Sequence, residues 1–468
     1  MIGPSKEGDQ FGYVGQLIDE DWAPEEKTAD PIQPPRHEGQ PAFPSPGIYF
    51  AMPEEKYHAI PAASTSHLKE LAVSSMNAWA SSWLNLDRIE REEKFFNYGK
   101  AIHSFILDGE QAYLDRYAID LDQAEYGDAL VHTNQIRDAI GKFTTTKPVT
   151  PKGTKQELID QLAELGQLHG SEVNLDASVP ALKTQIRQFD EETPETPIRK
   201  IYEEDEDGNQ IARPASKPDW IAQLLTLNPK AKVWDKIVAD YRAQHLGKEF
   251  LDAQSDRRIR IAAKMIMAHP EIGPLFHKGF PEVSIFWYCK KTGAPMKARI
   301  DWLRLNAIID LKSFSNKNGK PVDSAIVTAI ASFRYNMQHV IYDEAAQAAR
   351  ELIREHGPKV VQHCDDAVDI ELIAKRDEWC KKWAEQKDAP AFIFVFQQTG
   401  VAPVTRGKKM PRVNMGVFGA TQAMVTALKR TWIKAATQYG TDPWLDLAPI
   451  EEIDDETIPL WATDLGNG

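Results

Sequence analysis

The chain has 468 residues, 42% of them hydrophobic, and carries a formal net charge of −14. Its length exceeds the size at which one hydrophobic core usually stops growing, so we expect one elaborated domain or two. The charge is the wrong sign for nucleic-acid binding through bulk electrostatics, although a DNA enzyme that holds a metal ion also needs carboxylates. The chain has no run of about 18 apolar residues, no secretory pattern at its start, and three scattered cysteines; these features favour a cytoplasmic protein without a membrane span.

The first part of the chain is predicted to pass from a tail into a helical region. Residues 1–40 are rich in Pro, Glu and Asp without apolar periodicity, which predicts a disordered acidic tail. Residues 41–125 are predicted to form the N-terminal helical part of the main domain. Their apolar spacing indicates one helix over 64–86 and a second over about 97–107.

Residues 126–230 are polar and are predicted to form a helical insertion. Within them, residues 154–166 begin with a capping Thr and end with a Gly around an apolar stripe, which predicts a short helix. A second short helix is predicted over 179–189. The pair resembles small SAP-like helix–extension–helix modules that bind DNA, but an ordinary helical insertion with a solvated outer face is the preferred interpretation.

Residues 231–438 are predicted to form a mixed α/β core with a central sheet flanked by helices. β-rich stretches, long helical stretches and turn residues alternate in this region. The predicted strands cover residues 283–288, 298–305, 308–314, 391–396 and 413–418, and the predicted helices cover 324–354 and 421–437. Residues 439–468 are predicted to form an acidic C-terminal tail.

Two aspartates and a lysine that could act together stand on the second and third of these strands. Asp310 and Lys312 are two residues apart and therefore share one face of their strand. Asp301 lies on the preceding strand, and a short turn can bring it beside Asp310. Two close carboxylates repel each other and favour a bound cation, while a neighbouring lysine can orient water and stabilise charge on a phosphate. Such a set of groups can catalyse phosphodiester hydrolysis, although the Asp-x-Lys pattern alone is also common on solvated surface hairpins.

The predicted helix that follows presents Gln338 and Tyr342 four residues apart on one face. This face could line a cleft and contact phosphate or sugar. Without the carboxylates before it, the same spacing is typical of an ordinary amphipathic helix.

Together, Asp301, Asp310-x-Lys312 and Gln338-x-x-x-Tyr342 resemble the core of the PD-(D/E)XK nucleases. Further segments are similar to the RecE (exonuclease VIII) group of phage and prophage exonucleases. These segments are Pro46-Gly47-Ile48-Tyr49, Ser64-Thr65-Ser66-His67-Leu68, Asn97-Tyr98-Gly99-Lys100-Ala101-Ile102-His103 and Pro281-Glu282-Val283-Ser284-Ile285-Phe286-Trp287. The resemblance covers about residues 44–120 and 235–400 and leaves the insertion unexplained.

The resemblance implies a catalytic set of Asp301, Asp310, Lys312, His103 and Glu282. The three carboxylates and His103 would bind the metal, and Gln338 and Tyr342 would contact the strand being cut. Mg²⁺ is the expected cofactor, and Mn²⁺ accepts the same oxygen ligands.

Local positive charge supports a nucleic-acid partner despite the acidic total. The candidate DNA-binding residues besides Gln338 and Tyr342 are Arg299, Arg334, Lys317, Arg406, Lys408 and Lys409. The last three are predicted to stand in a loop flanked by Gly and Pro. Solvated surface is the alternative interpretation for each of these clusters.

The sequence therefore leads to the hypothesis of a cytoplasmic, Mg²⁺-dependent exonuclease that acts on double-stranded DNA ends. By resemblance it would degrade the 5′-ended strand, leave a 3′ single strand for a RecT-like annealing protein, and form a homo-oligomer. An endonuclease on the same core is one alternative. The other is a DNA-binding or recruiting module whose carboxylates are structural.

Overall fold

A computed structural model describes residues 29–88, 96–143, 148–190, 197–204, 210–316, 319–365, 369–400, 402–412 and 416–446. The chain divides into two compact units, one formed by residues 1–115 and 254–468 and the other by residues 116–253. The predicted insertion, 126–230, lies within the second unit.

The first unit is a mixed α/β structure built on one sheet of seven strands flanked by helices. The strands of this sheet are β1 (Gly47–Phe50), β6 (Gly279–Tyr288), β7 (Pro295–Arg304), β8 (Ala307–Phe314), β9 (Val361–His363), β10 (Ala391–Gln398) and β11 (Thr405–Lys409). Their order is β11-β10-β8-β7-β6-β1-β9, with β8–β10 and β1–β9 parallel and the other pairs antiparallel. This arrangement confirms the predicted fold class.

The helices of this unit lie before, between and after the strands. They are α1 (Glu54–Ala59), α2 (Thr65–Leu71), α3 (Ser75–Ala80), α4 (Phe96–His103), α5 (Glu110–Arg116, whose last residue begins the second unit), α11 (Ala253–Ala268, whose first residue ends it), α12 (Val322–Ser332), α13 (Tyr335–His356), α14 (Ile370–Ala384) and α15 (Val417–Tyr439). One continuous apolar core joins the sheet to α2, α13, α14 and α15. β8 and β10 form its centre because their apolar side chains are buried on both faces.

The second unit contains the helices α6 (Thr133–Gly141), α7 (Lys155–His169), α8 (Val179–Ile186), α9 (Lys217–Leu227) and α10 (Trp234–Gln244). It also contains two strand pairs, β2 (Tyr117–Ile119) with β5 (Glu249–Leu251) and β3 (Lys200–Glu204) with β4 (Gln210–Pro214). The predicted helix pair is present as α7 and α8, packed through a small core of its own formed by Leu158, Leu162, Leu182 and Ile186. A capping box between Thr154 and Glu157 begins α7.

Two helix predictions are wrong in detail. The helix predicted over 64–86 is two short helices, α2 and α3, each capped by a serine side chain. The helix predicted over 324–354 is broken between α12 and α13, because Arg334 adopts a left-handed backbone conformation with φ 50°.

The strand predicted over 413–418 is also wrong where it can be compared. Residues 413–415 lie outside the described residues, and α15 begins at Val417. The strand that pairs with β10 is β11, so Arg406, Lys408 and Lys409 lie on an edge strand rather than in a loop.

The predicted tails differ from the structure where they are described. Residues 29–40 form no helix or strand, but Ala29 and Ile32 donate backbone hydrogen bonds to Lys290 and Gly293. Near the other end, Trp444 is fully buried in the main core. The rest of both predicted tails, residues 1–28 and 447–468, lies outside the described residues. Among those described, no helix is long and apolar enough to cross a membrane.

Candidate metal centre

Three carboxylates stand on adjacent strands in the middle of the sheet. The pairs Pro281↔Trp302 and Val283↔Ile300 place Glu282 of β6 directly opposite Asp301 of β7. The pairs of β7 with β8 end at Trp302↔Ile309, one residue before Asp301 and Asp310. Residues opposite one another on paired strands share a face of the sheet. Glu282, Asp301 and Asp310 therefore form a row on one face.

The strands β7 and β8 diverge at this row, and a side chain replaces the missing backbone partner. Asp301 Oδ2 accepts a 2.8 Å hydrogen bond from the backbone N–H of Leu311. This bond satisfies a backbone donor that the sheet leaves unpaired. It also fixes the position of the Asp301 carboxylate.

His103 reaches the same row from the end of α4. Its Nδ1 lies 3.7 Å from Asp301 Oδ2. One ligand atom each of His103, Glu282 and Asp301 lie within 4.8 Å of one another. α4 lies close to β8 at Gly99, where an added Cβ would stand 3.2 Å from Ser313 Oγ. A π-helical turn (Ser104–Asp108) follows His103 directly, and such turns are frequent at functional sites.

Asp310 is 0% exposed and is held from two sides. Gln338 Nε2 of α13 donates to its Oδ1 at 2.5 Å. Lys312 Nζ lies 2.5 Å from its Oδ2. The Asp310 carboxylate and the Lys312 ammonium therefore form a buried pair beside Asp301.

Burial and mutual repulsion perturb the pKa values of the acidic groups. Burial raises the pKa of Asp301 well above its usual range, and the charge of Asp310 raises it further against the opposing effect of Lys312. Burial likewise raises the pKa of Asp310, although Lys312, Lys69 and Gln338 act against it. The pKa of Glu282 is also raised by burial, opposed by the adjacent Arg299. The row thus concentrates negative charge that lacks full compensation.

The basic groups of the site differ in protonation. Burial, together with the charge of Lys312, lowers the pKa of His103 to about 4, so its imidazole is neutral at pH 7. Burial alone would lower the pKa of Lys312, but Asp310 and Asp301 raise it above its usual value. The site therefore offers a neutral imidazole as a ligand and a lysine ammonium as a hydrogen-bond donor.

These groups fit a divalent cation. Carboxylate oxygens are the preferred ligands of Mg²⁺ and Mn²⁺, and a neutral imidazole is a common ligand of transition-metal ions. A cation bound by His103, Glu282 and Asp301, with Asp310 adjacent, would offset the repulsion between the buried carboxylates. The structure thus brings the predicted ligands His103, Glu282 and Asp301 together, and their binding of a metal ion stays a prediction.

Gln338 and Tyr342 lie behind the carboxylates rather than on an open cleft wall. Both are buried on α13. Gln338 donates to Asp310, and Tyr342 donates through its hydroxyl to the backbone oxygen of Arg299 at 2.7 Å. Both polar groups therefore have partners within the site, and their predicted contact with the DNA strand stays a prediction.

The other predicted DNA-binding residues are distributed unequally. Arg299 forms an ion pair with Glu282 and donates to the backbone oxygen of Met52, so its guanidinium is engaged inside the site. Arg334 stands at the corner between α12 and α13. Lys317 lies outside the described residues.

The basic side chains of β11 fall on two faces of the sheet. Lys408 of β11 lies opposite Phe394 of β10, and Phe394 lies opposite Asp310 of β8. In the same way, Arg406 lies opposite Phe396, and Phe396 lies opposite Lys312. Arg406 and Lys408 therefore share the face of the carboxylates. Lys409 pairs with Ile393 and points to the opposite face.

Sequence reasoning missed two features of this site. Glu282 has a positive φ of 52°, an uncommon conformation for a residue with a side chain. Lys69 of α2 lies near the centre, and burial and Lys312 lower its pKa to about 8. Its position directly after the Ser64–Leu68 segment was the one available signal.

Residues 234–363 match a family model described as a PDDEXK-like domain of unknown function (DUF3799). The matched segment includes Glu282, Asp301, Asp310 and Lys312 but not His103. No curated protein sequence matches the chain. The family match and the mixed sheet support the PD-(D/E)XK superfamily, whose members typically use divalent metals, and point to a nuclease-type function.

Proposed function

We propose that the protein is a metal-dependent exodeoxyribonuclease that resects double-stranded DNA ends. The observation that carries the proposal is the convergence of His103, Glu282 and Asp301 within 4.8 Å, beside the buried Asp310–Lys312 pair. These five residues come from four separate elements, and the family match covers four of them. Exonuclease specificity rests on the sequence resemblance to the RecE group.

The residues divide the work of phosphodiester hydrolysis. His103, Glu282, Asp301 and Asp310 would hold Mg²⁺ or Mn²⁺, which supplies Lewis-acid activation of water and of the scissile phosphate when bound. The Lys312 ammonium would orient the attacking water and donate to the developing negative charge on phosphate. Gln338 fixes Asp310, and the Leu311 N–H fixes Asp301, so neither carboxylate must reorganise.

Polarity, partner and assembly follow from the same resemblance. The enzyme would degrade the 5′-ended strand and leave a 3′ single strand. It would act in the cytoplasm of a bacterial host, with a RecT-like single-strand annealing protein as partner, and as a homo-oligomer. DNA recombination by strand annealing would be its biological role.

The decisive test uses linear and closed-circular double-stranded DNA with Mg²⁺ or with EDTA. Wild-type protein should degrade linear DNA only, and only with metal. Lys312→Ala should abolish degradation, whereas Lys382→Ala, which changes an exposed lysine on α14, should not. Cutting of the circle would instead indicate an endonuclease. Binding without cleavage in Mg²⁺ or Mn²⁺ would indicate a binding module.

A further inference from the structure

The corner between α12 and α13 is a strained feature on the site side of the sheet. Arg334 adopts φ 50° and ψ 46°, a left-handed conformation that costs energy for a residue with a β-carbon. Such strain persists where surrounding structure holds it, and it concentrates at functional sites. Here the corner ends α12 and turns the side chain of Phe333 outward.

Phe333 is the exposed half of an aromatic pair. Phe333 is 58% exposed, and the centre of its ring lies 5.7 Å from that of Tyr335. Tyr335 in turn packs on Phe394 and Phe396 of β10, at ring distances of 5.5 and 6.1 Å. The pair is therefore anchored on the central sheet, with one aromatic ring left open to a planar ligand.

Two lysine ammonium groups lie close to the Tyr335 ring. Lys312 Nζ and Lys69 Nζ lie 5.4 and 5.0 Å from the centre of the Tyr335 ring. Arg334 Nη1 lies 3.5 Å from the backbone oxygen of Lys69. Across the part of the chain that the structure describes, no carboxylate forms an ion pair with Lys69 or Arg334. Lys69 thus lies near Lys312 and is influenced by the charge of Asp310, but among the described residues neither Lys69 nor Arg334 is held in an ion pair.

A single exposed phenylalanine is ordinary on a protein surface. At this corner it coincides with a strained backbone, an anchored aromatic partner and two cations that form no ion pair among the described residues, next to the carboxylate row. Single-stranded nucleic acid combines the two groups that such a surface recognises, because bases stack on aromatic rings and phosphates pair with cations. A free phosphate ion would leave the ring unused.

We propose that Phe333, Arg334 and Lys69 bind a short single-stranded segment of DNA, with a base stacked on Phe333 and phosphates held by the two cations. The inference deepens the proposed nuclease function, since the bound segment would lead directly to Lys312 and Asp310. It assigns the strand at the site as unpaired rather than double-stranded.

The test is a double-mutant cycle between Phe333 and the DNA base, measured as binding in EDTA. The DNA is a labelled duplex with a three-nucleotide overhang, either normal or with three abasic residues, at the 5′ or the 3′ end. Phe333→Ala should weaken binding of one normal overhang roughly 5- to 100-fold and leave binding of its abasic counterpart within about twofold. Val327→Ala, a change to a residue of α12 that is 62% exposed, should leave both unchanged.

The role of the Lys69 charge is tested by removing it and then restoring it with arginine. Lys69→Ala should weaken binding of normal and abasic overhangs alike and reduce the salt dependence of affinity, whereas Lys69→Arg should restore both. An equal effect of Phe333→Ala on normal and abasic DNA, or no effect on either, would overturn the inference. Binding is measured without metal, so it does not depend on cleavage. If Phe333→Ala weakened binding of the normal overhang only, in a protein that cuts no DNA, the single-strand site would be supported and the proposed nuclease function rejected.

Discussion

Carboxylates in the two units of this protein have opposite electrostatics. In the first unit, Asp301 and Asp310 are buried side by side, and burial raises the pKa of each. In the second unit, Asp219 is surrounded by donors: Arg213 bonds both its oxygens at 2.7 and 3.0 Å, and Ser216 donates from backbone and hydroxyl. These donors lower the pKa of Asp219.

The difference separates a structural acid from one available for chemistry. The four hydrogen bonds to Asp219 join a hairpin to the start of α9 and occupy most of the acceptor capacity of its carboxylate. Asp301 receives the backbone N–H of Leu311 while facing two other acids. A perturbed carboxylate with spare acceptor capacity is typical of a catalytic or metal site.

Replacing one acid in each unit by its amide should give the largest difference in activity between the two units. Asp310→Asn keeps the size of the side chain and an oxygen that can accept from Gln338, but it removes the charge that holds metal and Lys312. We expect DNA degradation to fall by at least about 10²- to 10³-fold. Asp219→Asn should leave the initial rate unchanged. Equal rates for both variants would place the chemistry elsewhere in the chain.

Two histidines extend the comparison to pH. His67 lies in the main core near Trp83 and Trp444, and burial, with a smaller effect of Lys297, lowers its pKa to about 3. His169 of the second unit has a lowered pKa chiefly through partial burial.

Because the folded pKa of His67 lies below its unfolded value of 6.5, its contribution to stability is complete above pH 6.5 and is lost as pH falls towards 3. One proton corresponds to a slope of up to about 1.4 kcal/mol per pH unit. In denaturant titrations between pH 7 and 4, His67→Phe should flatten the fall in unfolding free energy, and His169→Phe should flatten it less. A wild-type slope in His67→Phe would show that the imidazole is not buried as described.

Without metal, the same Asp→Asn change should raise the melting temperature at Asp301 and lower it at Asp219. At pH 8 in EDTA, Asp301→Asn removes repulsion and should raise the melting temperature by a few degrees, since ~1 kcal/mol corresponds to about 2–4 °C in domains of this general size. Asp219→Asn should lower it. Saturating Mg²⁺ should stabilise wild type by about 2–3 kcal/mol at one hundred times its dissociation constant and leave Asp301→Asn nearly unaffected. If Mg²⁺ stabilised both proteins equally, the cation would not bind at Asp301.

A smaller effect distinguishes the two faces of β11. Arg406 shares the face of Lys312, whereas Lys409 points away. Arg406→Ala should weaken DNA binding and reduce its salt slope by about one, as expected for one lost phosphate contact. Lys409→Ala should change neither quantity. The reverse ranking in a salt titration would place DNA on the opposite face of the sheet.

The sequence determined the features that depend on local pattern. Strand periodicity placed Asp310 and Lys312 on one face, and the apolar stretches over 308–314 and 391–396 predicted the two central strands, β8 and β10. The capping Thr154 and its apolar stripe predicted α7. These inferences succeeded because alternation in strands and capping in helices arise from neighbours along the chain.

Tertiary structure alone decided the features that depend on distant partners. The register of β6, β7 and β8 put Glu282, Asp301 and Asp310 in one row, and the approach of α4 brought His103 to it. The break at Arg334 and the burial of Gln338 and Tyr342 had no local signal that distinguished them from a continuous amphipathic helix. Burial, like-charge proximity and the path of the chain at a corner are set by packing between elements far apart in sequence, and these factors fix which polar groups are free to act.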